Sequence, residues 1–208
     1  MDGIEPRLRH AGLNLPGDPE VLETAESDVF GFWIFLMSDA VLFALLFTIY
    51  GTMLGATGGA PGPAQEFKIG PAFLETLILL TSSFTFGTAS IALKHDRRTA
   101  LVVWLITTLV LGLAFLGMEA YDFTAMAADH ATPDRSGFLS AFFVLVGMHG
   151  LHVTIGSIWI IVMIVQLAVL GRDSQVKVNL IRLSLFWHFL DVIWIAIFSV
   201  VYLQGLMN

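Results

Sequence analysis

The chain contains no cysteine among its 208 residues. Disulfide bonds, thiolate metal sites, cysteine-ligated iron–sulfur clusters and cysteine nucleophiles are therefore excluded. Charged residues are also scarce, at 13% of the sequence, and seventeen acids outnumber ten lysines and arginines. Since a chain with a net charge of −7 offers little basic surface, we expect no nucleic-acid partner.

Apolar residues, in contrast, make up 56% of the chain. Crossing the hydrocarbon core of a bilayer takes about 20 helical residues. Five stretches are long enough, and they lie at about 30–55, 71–93, 99–125, 136–170 and 178–205. Short polar or glycine-rich segments separate them, as expected for loops between antiparallel neighbours. The sequence therefore predicts an all-α integral membrane bundle of five transmembrane helices, spanning residues 29–208.

Residues 1–28 mix proline, glycine and acids without apolar periodicity, so we expect a mostly extended tail. The tail, with the second and fourth loops, holds eight basic residues: Arg7, Arg9, Lys94, Arg97, Arg98, Arg172, Lys177 and Arg182. The other side holds Lys68 and Arg135. By the positive-inside rule, the N-terminus is predicted to be cytoplasmic and the C-terminus to lie outside.

Ionisable side chains interrupt every one of the five apolar stretches. Each costs about 2.5–3.5 kcal/mol at the centre of a membrane helix on insertion scales, so each requires a partner or a role. Counting 1.5 Å per residue from the helix ends gives their depths. Four lie at a similar depth and are expected to meet in one layer: Asp39, His152, His188 and Asp191. The others form an outer layer: Glu75 and Glu119, which His149 is able to join.

The three intramembrane histidines allow two interpretations. Imidazoles that face each other across a bundle can ligate haem iron or copper. Alternatively, each hydrogen-bonds to a carboxylate or backbone group on a neighbouring helix. The repeated Glu-x-x-His pairs of membrane di-iron proteins do not occur. The i, i+3 pairs present share a helix face and favour a polar clamp without metal or catalytic residues: Glu119/Asp122, His149/His152 and His188/Asp191.

Asp39 also allows two interpretations. A carboxyl group in apolar surroundings can exchange protons near neutral pH, which is typical of a proton path. The alternative is a neutral or paired carboxyl that positions a helix or a lipid headgroup.

Tryptophans give a simpler expectation. Trp33, Trp104 and Trp187 lie near predicted helix ends and are expected to be interfacial anchors, whereas Trp159 and Trp194 are expected to pack inside the bundle.

Several segments resemble subunit III of the haem–copper respiratory oxidases. They are GFWIFLMSDAVLF (31–43), FLGMEAYDF (115–123), PDRSGFLSAFFVLVGMHGLHVTIGSIW (133–159) and SLFWHFLDVIWIAIFSVVYLQG (184–205). The combination of HGLHV with WHFLDVIW in the last two helices is highly specific. The resemblance runs from about residue 30 to the C-terminus. The chain is similar to the five-helix form typical of bacterial quinol oxidases, above all the cytochrome bo-type ubiquinol oxidases, and not to the seven-helix mitochondrial form.

This resemblance implies a non-catalytic subunit in a bacterial inner membrane that supports assembly, turnover stability and lipid binding. It places the haems and copper in subunit I, the main contact, with subunits II and IV in the same complex, and it implies bound phospholipid but no cofactor in this chain. Asp39 aligns with the family's carbodiimide-reactive acid, usually a glutamate, which is one methylene longer. The residues that match the family pattern are Glu119, His149, His152, His188 and Asp191, and Glu75 matches its five-helix form.

Three other functions remain open from the sequence. The resemblance also allows subunit III of a cytochrome c oxidase. The intramembrane carboxylates allow a stand-alone proton channel or transporter, which should show broken helices and a continuous polar stripe. The histidines allow a haem-binding membrane cytochrome.

Overall fold

A computed structural model describes residues 19–57, 69–95, 97–169 and 174–203. Within these ranges the chain forms five long helices: α1 Pro19–Met53, α2 Ile69–Lys94, α3 Arg98–Ala128, α4 Gly137–Val169 and α5 Ser174–Ile197. A 3-10 turn, Pro133–Arg135, precedes α4, and a π-helical segment, Phe198–Leu203, continues α5. Each of the five is long and apolar enough to cross a membrane. The predicted all-α five-span architecture is confirmed in the described part of the chain.

α1 begins earlier than the sequence predicted. Residues 19–28 are helical, so the expectation of an extended tail is wrong for them, while residues 1–18 lie outside the described part. Proline suits this start because its fixed φ is compatible with the first helical turn. A helix of 35 residues is about 50 Å long, compared with about 30 Å for the hydrocarbon core. The first turns of α1 therefore extend beyond the apolar layer.

Four helices surround a common core. α2 packs on α3, α3 on α4, α4 on α5, and α5 returns to α2, which closes the arrangement. α1 packs mainly on α4 and α5, not on α2, which follows it in the chain. The expectation that every loop joins packed neighbours is therefore wrong for the first two helices. Consistent with this peripheral place, only 11% of the residues in the most apolar stretch of α1 are buried.

Basic side chains gather at the end of the bundle where α1, α3 and α5 begin. This basic end is formed by Lys94, Arg97, Arg98, Lys177 and Arg182. Arg98 donates hydrogen bonds to the carbonyls of Leu167 (2.7 Å) and Ala168 (3.2 Å) at the end of α4, where a cation also favours the helix dipole. Arg182 forms an ion pair of 3.0 Å with Asp28. These contacts join α3 to α4 and α5 to α1.

Trp187 lies in the core of the bundle. It is 2% exposed, and its indole Nε1 donates a hydrogen bond of 3.1 Å to the Ser82 hydroxyl. Its ring packs over Gly112 and Gly156, where even a Cβ atom would come within 2.8 and 3.1 Å of it. The prediction of an interfacial anchor is wrong for Trp187, because two glycines on neighbouring helices make room for its ring inside. Trp33, in contrast, is 47% exposed.

Candidate functional site

Asp39 of α1 and His152 of α4 form one intramembrane pair. The Asp39 Oδ2 atom lies 3.3 Å from His152 Nε2, and the two side chains are 10% and 15% exposed. His152 Nδ1 lies 2.7 Å from the Met148 carbonyl oxygen, which can only accept, so this nitrogen carries a proton. His152 Nε2 is the ring nitrogen that faces the Asp39 carboxyl group. The pair therefore places an imidazole nitrogen against a carboxyl oxygen where α1 meets α4.

Ser83 of α2 connects two polar groups of α5. Its hydroxyl lies 2.7 Å from His188 Nδ1 and also hydrogen-bonds to Asp191. His188 and Asp191 therefore face the same neighbour, as their i, i+3 spacing predicts. The partner is a serine hydroxyl, which can donate to one group while accepting from the other. The second group is thus a three-residue connection between α2 and α5.

The four residues predicted to meet in one layer form two separate contacts instead. Asp39 and His152 lie where α1 meets α4, whereas His188 and Asp191 point from α5 toward α2. The expectation of a single layer is wrong because depth along a helix does not determine the face on which a side chain lies. Phe43 packs near the first pair, at 5.3 Å from the His152 ring, and Phe86 packs near the second, at 6.1 Å from the His188 ring.

A third polar group occupies the end of the bundle away from the basic end. Its carboxylic acids are Glu75 of α2, which is 1% exposed, Glu119 of α3, which is 6% exposed, and the half-buried Asp122. Tyr50 of α1 is 0% exposed and Tyr202 of the π-helical segment 7%. Electrostatic interactions join Tyr202 to the three acids and to Tyr50. We call these five residues the carboxyl–tyrosine cluster; the predicted pairing of Glu75 with Glu119 lies within it.

Gly150 of α4 makes room for the Glu119 carboxyl group. A Cβ atom on this glycine would lie 2.5 Å from Glu119 Oε1 and 2.7 Å from Oε2. The carboxyl therefore rests against the bare backbone of α4, closer than any other residue would allow. Glu119 Oε2 and Glu75 Oε1 have no hydrogen-bond partner among the described residues.

His149 does not join the acids as expected. It is 0% exposed, and neither ring nitrogen has a hydrogen-bond partner in the described ranges. Its ring centroid instead lies 5.7 Å from that of Phe115 and 5.2 Å from that of Trp194. The interpretation that each histidine bonds to a polar group on the next helix is therefore wrong for His149. Aromatic rings from α3 and α5 pack against this imidazole instead.

The histidines are not arranged to share a metal ion. In residues 19–57, 69–95, 97–169 and 174–203 no three histidine, aspartate or glutamate side chains come together in a group that could hold one. His149 faces aromatic rings, His152 faces α1, and His188 faces α2. The three rings thus point to different neighbours, and their geometry does not fit a common haem or metal.

Sequence reasoning missed four contributors to these groups: Tyr50, Ser83, Gly150 and Tyr202. Serine and tyrosine are too common in membrane helices to signal a polar contact by themselves. A glycine in a membrane helix usually indicates close helix packing, but at Gly150 a carboxyl group takes the space. Ser83 lies on the same face of α2 as Thr76, which accepts a 3.1 Å hydrogen bond from Trp194. This repetition of hydroxyl residues on one helix face is the sequence signal that could have indicated Ser83.

Comparison with known proteins gives a consistent result over nearly the whole chain. The family model for cytochrome c oxidase subunit III matches residues 22–206. Subunit 3 of the cytochrome bo(3) ubiquinol oxidase from Pseudomonas aeruginosa is 44% identical over 183 residues, which is 88% of each chain. Quinol oxidase subunit 3 from Bacillus subtilis is 40% identical over 197 residues, or 95% of this chain and 96% of the relative.

Proposed function

Because this chain belongs to the cytochrome c oxidase subunit III family, we propose that it serves as the non-catalytic subunit III of a haem–copper quinol oxidase. The observation that carries this function is similarity along nearly the full length to proteins named as subunit 3 of quinol oxidases. Those names also favour a quinol over cytochrome c as the electron donor. The five intact spans support the same function, since they lack the broken helices typical of many transporters.

The reaction centre belongs to another subunit in this proposal. The haems and copper reside in subunit I, where they transfer electrons to oxygen, and subunits II and IV complete the complex. The residues of this chain contribute helix contacts and buried polar pairs beside that centre. Their role is to support assembly and stability during turnover, which agrees with the placement of His149, His152 and His188 against three different neighbours.

A phospholipid site is proposed between α2 and α5 near the basic end. A cavity of about 290 Å³ lies there, and its lining includes Ser90, Ser184, Lys94 and apolar residues such as Leu180. An acyl chain suits the apolar walls, while the lysine and the two hydroxyls suit a phosphate headgroup. Lipid bound there would tie the second span to the last.

Affinity purification tests the proposed function directly. We expect a tagged form of the chain to co-purify with a haem-containing catalytic subunit, and the preparation to reduce oxygen with a quinol as donor. Deletion of the gene that encodes this chain should lower the amount of assembled oxidase. Recovery of the tagged chain without any haem-containing subunit, from cells that respire through a quinol oxidase, would contradict the proposal.

Asp39→Asn should leave oxygen reduction in place. Asparagine keeps the size of the side chain and removes the ionisable carboxyl group beside His152, so we expect an assembled oxidase with a modestly altered rate or a shorter active lifetime under continuous turnover. Oxygen consumption by the purified complex measures both. Ser38→Ala, at an exposed neighbour, is the control. A fully assembled, haem-replete variant without oxygen reduction would assign Asp39 to the proton path itself.

The bacterial inner membrane, with the N-terminus cytoplasmic, is the proposed location. Because the chain has no cysteine, single cysteines report the orientation without background. We expect a membrane-impermeant maleimide to label Asp134→Cys in intact spheroplasts, and Arg97→Cys only after the membrane is opened; both residues are exposed. A permeant maleimide is the control. Labelling of Arg97→Cys in intact spheroplasts would reverse the proposed topology.

A further inference from the structure

The carboxyl–tyrosine cluster brings three acids together where charge is most expensive. Glu75 and Glu119 are almost completely buried, and in the described part of the chain no lysine or arginine pairs with either. Two carboxylates that interact in a low dielectric repel each other, and each also loses its hydration. Protonation of one removes the repulsion and the hydration cost of that group. The least expensive state of the cluster therefore keeps a proton on at least one carboxyl group.

The two tyrosines give the cluster hydrogen-bonding capacity beyond the acids. Tyr50 is fully buried, and its hydroxyl has no hydrogen-bond partner among the described residues, although it interacts electrostatically with Tyr202. A buried hydroxyl without a partner costs about 1–3 kcal/mol. A buried hydroxyl of this kind needs a polar group within hydrogen-bond distance. Within the described residues, the cluster therefore has unsatisfied polar atoms on a tyrosine as well as on the two glutamates.

The end of α5 is shaped to bring Tyr202 to the acids. The α-helix changes to a π-helix at Phe198–Leu203, and this segment packs on α2, which carries Glu75. π-helical turns are rare and occur frequently at functional sites, because they redirect one side chain at some cost in helix geometry. Here the segment carries the phenol of Tyr202, which interacts electrostatically with the three acids.

The acids of the cluster lie at different depths, and Asp122 is nearer to the end of the bundle. Glu119 lies about 14 Å and Asp122 about 9 Å from the end of α3. Asp122 is half-buried and interacts electrostatically with Glu75. A proton that leaves the buried glutamates thus meets a carboxyl group closer to water. Each of the five described helices contributes to the surroundings of the cluster. From α4 this is the bare backbone at Gly150, which follows the aromatic-packed His149 in the sequence.

We propose that Glu75, Glu119 and Asp122, with Tyr50 and Tyr202, form a buried proton-binding site that holds an exchangeable proton on a carboxyl group at neutral pH. The ligand class is a proton, bound directly or with a water molecule. The site lies apart from the Asp39–His152 pair, and it does not depend on the proposed oxidase function.

Infrared spectroscopy of the full-length chain in lipid nanodiscs, with the subunits that co-purify, tests the site at neutral pH. We expect a C=O stretching band of protonated carboxyl groups that shifts in D2O. The band should lose intensity in Glu75→Gln or Glu119→Gln. Asp129→Asn, at an exposed acid, should leave the band unchanged. Equal band intensity in the wild type and in both glutamine variants would overturn the proposal.

A second, milder variant gives a result even if the two glutamine variants fail to fold. Tyr202→Phe keeps the ring and removes the hydroxyl, so we expect the frequency of the same C=O band to shift because a hydrogen-bonding group near the acids is lost. Ser199→Ala, on the exposed side of the same π-helical segment, should cause no shift. An unchanged frequency in Tyr202→Phe would also overturn the proposal. None of these readouts uses oxygen reduction, so the outcome is separate from that of the proposed function.

Discussion

Gly112→Ala is expected to destabilise the bundle by about 1–3 kcal/mol, the usual cost of overpacking a core. The new methyl group would lie 2.8 Å from Cη2 of Trp187. The indole cannot give way, because its other side rests on Gly156 and its nitrogen is bonded to Ser82. The midpoint of detergent-driven unfolding of the full-length chain measures the change, together with its steady-state level in membranes.

Gly117→Ala is the matched control on the same helix. No atom lies within 4 Å of a Cβ at that residue, and alanine raises helix propensity by up to about 1 kcal/mol, so this variant should be neutral or more stable. Adding Trp187→Phe to Gly112→Ala should recover part of the loss, since the smaller ring makes room for the methyl. Equal stability of the Gly112 and Gly117 variants would show that the ring is free to move.

Gly150→Ala is expected to lower stability by a similar amount, about 1–3 kcal/mol, for a different reason. The carboxyl group of Glu119 is the flexible end of its side chain, so it can leave the space that the methyl takes. The group is only 6% exposed, however, so the methyl has to displace it within a packed interior. The loss of stability therefore arises from displacing a buried carboxyl group, and unfolding midpoints measure it.

Gly147→Ala, one helical turn away, is the corresponding control. Its Cβ would meet the Phe123 ring at 3.9 Å, an ordinary contact. Glu119→Asp combined with Gly150→Ala should restore much of the stability, because the shorter acid withdraws from the methyl group. If the double variant is no better than Gly150→Ala alone, the contact between Gly150 and Glu119 is not the cause of the loss.

Much of the architecture could be predicted from the sequence because long apolar stretches leave a membrane chain few alternatives. The number of spans followed from length and composition, and the sharing of Ser83 by His188 and Asp191 agrees with their i, i+3 spacing. Trp187 could not be placed, since its burial depends on Gly112 and Gly156 from two other helices. Such an arrangement leaves no local pattern in the sequence.

The polar groups were predicted as a set of residues, but their partners were not. Depth counting placed Asp39 in one layer with His152, His188 and Asp191, whereas the helix packing brings only His152 against it. Knowing that α1 packs on α4 and α5 would have corrected this, and that order is set by interhelical packing and not by any one segment. His149 shows the same limit, because its aromatic surroundings come from α3 and α5.

The peripheral place of α1 has a consequence for biosynthesis. The ribosome produces this helix first, but the two helices on which it packs, α4 and α5, are made last. α1 must therefore remain in the bilayer as an isolated helix while about a hundred further residues are translated, which takes about 5–20 s at typical rates. During this wait the Asp39 carboxyl has no His152 partner, and its burial in lipid costs about 2.5–3.5 kcal/mol. Arrival of the fourth span ends that exposure, so Asp39 makes the capture of α1 dependent on α4 having been inserted.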